Sequence, residues 1–110
     1  MEISFSTEKL AKLCNSESKL RGKYGPRMAR VVQQRLSDLD AAECLEVMRT
    51  LPGRCHELSE NLSGHLAVDL IQPDRMVFKP DHDPLPMQNG NLDWTAVTQI
   101  EIVGIGDYHK

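Results

Sequence analysis

Asp107, Tyr108 and His109 follow one another at the end of an apolar, alternating run, Ile100 to Ile105, in a chain of 110 residues. A carboxylate, a phenol and an imidazole in succession can hydrogen-bond a substrate or exchange protons with it, and histidine does so near neutral pH because its ordinary pKa lies there. The run therefore marks one edge of a candidate active site. End residues fray unless a strand ties them into a sheet, and Ile100, Ile102 and Ile105 supply that tie. The remaining histidines suit no metal. His65 and His82-Asp83 fall on separate segments, with no helical i, i+4 pair and no cysteine cluster. No glycine-rich phosphate loop, Ser-His-Asp arrangement or nucleotide fingerprint is visible, so no cofactor is expected.

Charge is distributed unevenly. Residues 1–54 carry 10 basic and 7 acidic side chains while residues 55–110 carry 3 and 9, so the net charge of -3 conceals two halves of opposite sign. Between Ser18 and Ser37 there is no acid, and Lys19, Arg21, Lys23, Arg27, Arg30 and Arg35 accumulate. A basic patch of this kind holds phosphates or an acidic protein segment, unless it is simply a solvated helix face. Cys14, Cys44 and Cys55 are odd in number and lack Cys-x-x-Cys spacing, which points to reduced thiols acting as small apolar residues. No apolar run approaches the roughly 18 residues of a membrane span, and the first residues lack the pattern of a signal peptide. A cytoplasmic protein with no membrane partner is expected.

These side chains need a scaffold, and the hydrophobic periods describe one domain over residues 1–110. Glu2 to Phe5 alternates as a short first strand. Ser6 or Thr7 caps a helix that buries Leu10 and Leu13 and runs to about Ser18, until Gly22-Lys23-Tyr24-Gly25-Pro26 breaks it. A second helix is expected from Pro26 to Leu39, where Met28, Val31, Val32, Leu36 and Leu39 form one apolar stripe. Lys23, Arg27 and Arg30 step by four and three along another face, which makes the basic patch a ridge. Asp40 and Glu43 read as a capping box for a short third helix ended by Pro52-Gly53. The period then changes to two. Leu66 to Leu70 and Arg75 to Lys79 form a hairpin about Gln72-Pro73-Asp74, a long loop follows from Pro80 to Trp94, and Thr98 to Ile105 is the last strand. The fold class is α+β, an N-terminal helical hairpin packed on an antiparallel sheet.

Three stretches together resemble one family: Leu51-Pro52-Gly53-Arg54-Cys55-His56-Glu57-Leu58, Asp74-Arg75-Met76-Val77-Phe78, and Ile102 through His109. Their order and spacing are similar to the HigB branch of the RelE/ParE toxins of bacterial toxin–antitoxin systems, and Leu92-Asp93-Trp94 before the final strand matches a subgroup with a long third loop. The resemblance covers nearly the whole chain. It implies a twisted antiparallel sheet bearing a cleft that cuts messenger RNA on the ribosome, inhibited by a HigA-like helix-turn-helix antitoxin.

A ribonuclease without metal needs a base for the ribose 2′-OH, an acid for the leaving 5′-oxygen and cations about the phosphate. The resemblance offers His56 and His109 as base and acid in either order, Asp107 to orient a histidine, Tyr108 to stack on or hydrogen-bond a base, and Arg75 to hold the phosphate. Lys23, Arg27 and Arg30 are left to contact the ribosome or the antitoxin. Two departures stand out. Ser59-Glu60-Asn61-Leu62-Ser63 replaces a basic cluster, and Asp74 replaces an aromatic residue, so Glu57, Glu60 and Asp74 are expected to oppose RNA. The leading expectation is the ribosome-dependent nuclease, and the acidic second half motivates an alternative, a toxin-like binding protein with weak or lost nuclease activity. A ParE-like gyrase inhibitor is a third reading.

Overall fold

The computed structural model describes residues 1–108; His109, the last member of the tail triplet, lies outside them. Seven strands, three α-helices and three 3-10 segments follow one another in this part of the chain. The order is β1 (Glu2–Phe5), α1 (Glu8–Cys14), α2 (Glu17–Tyr24), α3 (Pro26–Ala41), a 3-10 helix (Leu45–Thr50), β2 (His56–Glu57), a 3-10 turn (Glu60–Leu62), β3 (Leu66–Asp69), β4 (Arg75–Pro80), β5 (Met87–Gln88), β6 (Asn91–Leu92), a 3-10 turn (Trp94–Ala96) and β7 (Gln99–Gly106). Five strands form one sheet in the order β1-β7-β4-β3-β2, and β5 pairs only with β6. The sheet is antiparallel as expected except at one edge, where β1 runs parallel to β7. Periodicity could not reveal that direction, which depends on where the chain returns after the helices. Among the described residues, no helix is long and apolar enough to cross a membrane.

Local chemistry corrects the helix boundaries. The first helix does not reach Ser18: Ser16 adopts extended backbone and its hydroxyl accepts from the Lys19 amide, so a new helix, α2, starts there. Gly25, at φ 86, ends α2, and Pro26 opens α3 directly, which leaves Lys23 and Arg27 on different helices. The continuous basic ridge is therefore broken at Gly25. The capping box does not form either. Asp40 lies inside α3, and the next segment is a 3-10 helix whose cap position, Cys44, makes no side-chain cap bond.

The core sits between the helices and one face of the sheet. Residues paired across antiparallel strands share a face, so Leu66, Phe78 and Ile102 form one row and Val68, Met76 and Ile105 the next. Phe78, Met76, Ile100 and Ile102 are fully buried, and they pack with Leu20, Val32 and Leu39 from the helices. Ile100, Ile102 and Ile105 break the period of two because the register slips between Val77 and Phe78, which face Gly104 and Ile102. Val103 is the extra residue of a β-bulge. The bulge returns Ile105 to the helix-facing side and turns Gly104 and Gly106 to the other.

The long loop is tied down at two points. The Trp94 indole donates to Glu57 Oε2 at 3.0 Å while the Arg49 guanidinium lies 3.7 Å from its ring centroid. His82 Nε2 accepts from the amides of Thr98 and Gln99 at 3.1 and 3.3 Å, which fixes the loop to the start of β7.

Candidate active site

The face of the sheet turned away from the helices carries the polar side chains. One row runs His56, Ala67, Val77 and Gly104 across β2, β3, β4 and β7, and the next runs Asp69, Arg75 and Gly106. His56 and Arg75 thus share a face, two strands apart and two residues out of register. At about 4.8 Å per strand and 3.3 Å per residue this is roughly 12 Å between Cα atoms, a span that long side chains close around a nucleotide.

His56 is half-buried, and its Nδ1 lies 2.7 Å from the Arg54 carbonyl oxygen. A carbonyl only accepts, so Nδ1 carries the hydrogen and a neutral ring keeps its lone pair at Nε2. Arg54 itself sits in the left-handed region at φ 48, a conformation that costs a non-glycine residue about 1–2 kcal/mol. It is held by an ion pair to Asp69, 2.9 Å between Arg54 Nε and Asp69 Oδ2.

Asp69 is the hub of this end of the site. Its carboxylate also lies 3.4 Å from Arg75 Nε, with side chains 13% and 16% exposed for Arg75 and Asp69. That approach neutralises charge without hydrogen-bond geometry, so Arg75 Nε has no hydrogen-bond partner among the described residues. The Asp69 carbonyl accepts from Arg35 Nε at 2.8 Å, and its amide donates to the Gly53 carbonyl at 2.6 Å. Asp69 has no role in the sequence-based expectation, where Arg35 stands only in the basic patch and Arg54 only in the stretch that holds His56. The one hint was Gly53-Arg54 beside His56; the partners are too distant in sequence for any local pattern to reveal.

A cavity of about 420 Å³ opens beside this network, lined by Arg75, Asp107, Tyr108, Glu60 and the turn from Leu58 to Leu62. Arg75, Asp107 and Tyr108 are therefore brought together, whereas His56 approaches along the sheet and does not line the cavity. Tyr108 folds back over β7. A side chain at Gly104 would run into the Tyr108 hydroxyl, and Gly106 also lies under the ring. Gly104 and Gly106 alternate onto one face, a spacing that clears a berth for an aromatic ring and is readable afterwards.

The three acids expected to oppose RNA behave differently. Glu60 does line the Arg75 cavity. Glu57 pairs with Leu66, on the helix-facing side, and is engaged by Trp94. Asp74 acts on Tyr24, whose hydroxyl pKa is raised first by burial and then by the charges of Cys14, Asp74 and Tyr108. Lys23, Arg27 and Arg30 are all exposed. Burial pushes the Cys55 thiol up to about 12, with Arg49 pulling weakly the other way, and the Cys14 thiol up to about 11, so neither is a nucleophile near neutral pH. Among the described residues, no three His, Cys, Asp or Glu side chains gather to hold a metal.

No family model matches the sequence, and no curated protein does. The fold is nonetheless shared with solved toxins. A YoeB/ParE toxin from Agrobacterium tumefaciens matches with a TM-score of 0.62 at 8% identity, over 99% of this chain and 100% of that one. The YoeB dimer from Staphylococcus aureus matches with a TM-score of 0.57 at 20% identity, over 100% and 98%. The YoeB–YefM complex from the same organism gives 0.56 at 19% identity, over 100% and 98%. Mixed α+β architecture with a mostly antiparallel sheet is what these likenesses share with this chain.

Proposed function

We propose that this protein is the toxin of a toxin–antitoxin pair and acts as a metal-independent, ribosome-dependent endoribonuclease of HigB type on messenger RNA. The observation that carries this reading is the convergence of Arg75, Asp107 and Tyr108 on one cavity, with His56 on the same face of a fold shared with YoeB toxins. In the reaction, His56 Nε2 takes the proton of the ribose 2′-OH. The 2′-oxygen attacks phosphorus, the bond from phosphorus to the 5′-oxygen breaks, and His109 protonates the departing oxygen. The products are a 2′,3′-cyclic phosphate and a 5′-hydroxyl. Arg75 offsets the charge that builds on the phosphoryl oxygens, Tyr108 offers a ring to an unstacked base, and Asp107 orients a histidine. The base role goes to His56 because its Nδ1 hydrogen is committed to Arg54, which leaves Nε2 to accept.

Its partner is an antitoxin, by analogy with the YoeB–YefM toxin–antitoxin complex, and the HigB resemblance makes that antitoxin a HigA-like helix-turn-helix protein. Arg27 and Arg30, exposed on α3, are left to the ribosome or the antitoxin. Expression from an inducible promoter, with wild type beside His56→Ala and His109→Ala, is the direct trial. Growth arrest and cut messenger in wild type, lost in both variants, are expected. Equal growth with intact messenger in all three would sink the nuclease.

One observation favours a second reading. Asp69 already neutralises Arg75 and Glu60 lines the same cavity, an arrangement that weakens phosphate capture. A toxin-like binding protein that acts only through its antitoxin then remains, and it predicts a tight complex with no effect on growth.

A further inference from the structure

Tyr108 has a second side. Besides the Arg75 cavity it lines a groove of about 710 Å³ between α1, α2 and the β7 segment at Val103, Gly104 and Ile105. Four lysines line it, Lys9, Lys12, Lys19 and Lys23, against one acid, Glu8, which already lies 3.2 Å from Lys12. Tyr24 joins Tyr108 on the wall, and Lys23 Nζ stands 5.6 Å from the Tyr24 ring centroid. Lysines of the basic half therefore line a concave site together with Tyr24 and with Tyr108 from the chain's other half.

We infer that this groove binds single-stranded RNA, as a second subsite in which a strand held at Arg75 continues past Tyr108 toward α1 and α2. Lysines along a groove neutralise successive phosphates, and phenol rings take stacked bases without regard to sequence. The rings decide between occupants. An acidic peptide would use the same lysines, but its carboxylates gain nothing from the faces of Tyr24 and Tyr108, on which nucleobases stack. Continuity decides the direction, because Tyr108 lines both cavities. Lys23 thereby leaves the broken ridge and joins an RNA path, and the four lysines supply cations that the Arg75 cavity, with Glu60 and Asp69, lacks. This inference rests on the proposed action on RNA.

The test is fluorescence anisotropy at low salt with labelled RNA of ~4 nucleotides, which fills one cavity, and ~12 nucleotides, which spans both, within the site sizes of single-strand binders. In a variant combining Lys9→Gln, Lys19→Gln and Lys23→Gln, all at exposed positions, the log–log salt slope for the long RNA is expected to fall by about 2, at about 0.7 per phosphate contact. Tyr24→Ala should weaken long-RNA binding by about tenfold to a hundredfold, as for one stacked base, and Tyr24→Phe should restore it. The part of short-RNA binding that Arg75→Ala removes should stay as in wild type. Unchanged long-RNA binding, or equal losses for both lengths, overturns the subsite. A lysine variant that loses a polyglutamate peptide but keeps the long RNA overturns it too, since the groove would then serve an acidic protein. Loss of short-RNA binding in Arg75→Ala tests the first cavity separately, so failure of the nuclease reading is told apart from failure of this one.

Discussion

The two faces of β4 put six consecutive residues to opposite uses. Met76 and Phe78 point toward the helices and are fully buried in an apolar cluster, while Arg75 and Lys79 point the other way and carry ion pairs to Asp69 and Glu101. On the first face the free energy comes from area removed from water, is nearly independent of pH and tolerates no loss of volume. On the second it comes from charges held in balance, so one residue can stabilise the fold and restrain the chemistry at once. Substitutions on the two faces should therefore differ in kind as well as in size.

Phe78→Ala probes the first face and has the largest expected effect. It removes a fully buried ring at the centre of the row Leu66, Phe78, Ile102 and should cost about 3–5 kcal/mol, a large fraction of the stability of a small domain. Urea unfolding measures it. A loss below about 1 kcal/mol would mean that the helices do not close over this row.

Asp69→Asn breaks the second face at its hub. Arg75, 13% exposed, loses its nearest countercharge, and the Arg54 turn loses its anchor. A destabilisation of about 1–3 kcal/mol is expected, the scale for leaving one member of a largely buried charged pair unsatisfied. RNA affinity should move in the opposite direction, because a carboxylate leaves the phosphate site. Opposite signs in urea unfolding and RNA binding would identify Asp69 as a restraint on Arg75; falls in both would make it a positioning residue only.

What could be read in the sequence follows the same division. The buried face announces itself through period, and Leu66, Val68, Met76 and Phe78 stand where alternation places them. Even the bulge is written in the spacing of Ile100, Ile102 and Ile105. Helix ends were legible at Gly25-Pro26, which closes one helix and opens the next as expected, and less so at Ser16, where a single hydroxyl outweighs a continuous helical pattern. The polar face was readable only as a set of residue types. Arg75, Asp107 and Tyr108 could be named, but their electrostatic setting depends on Asp69, Arg54 and Arg35, joined by tertiary contacts that no local spacing records. Counting acids along the chain misjudged Glu57, whose face is decided by its pairing with Leu66.

A smaller effect separates geometry from charge on the second face. Gly104→Ala adds one methyl group where the Tyr108 hydroxyl lies, and the ring must leave. About 1 kcal/mol of stability should be lost, the scale of a modest overpacking. In a Tyr108→Ala background the same substitution should cost almost nothing, since the group it meets is gone. That non-additivity in a double-mutant cycle is the signature of direct contact. Equal costs in both backgrounds would show that Gly104 answers to its own backbone and not to the ring.

The smallest effect at neutral pH is none at all, and it belongs to the buried thiols. The Cys14 and Cys55 pKa values are raised by burial from an ordinary 9.0 to about 11 and about 12. A raised thiol pKa means that the folded protein holds its proton after the unfolded chain has lost it. Stability is then unaffected below about pH 9 and falls as pH rises toward the folded values, because deprotonation favours the unfolded chain. Cys14→Ala with Cys55→Ala should flatten the alkaline limb of a stability profile while leaving the ion pairs of Asp69 in place. An alkaline limb that persists in the double variant would move its origin to Tyr24 on α2, whose pKa is also raised and which lines one groove with Tyr108.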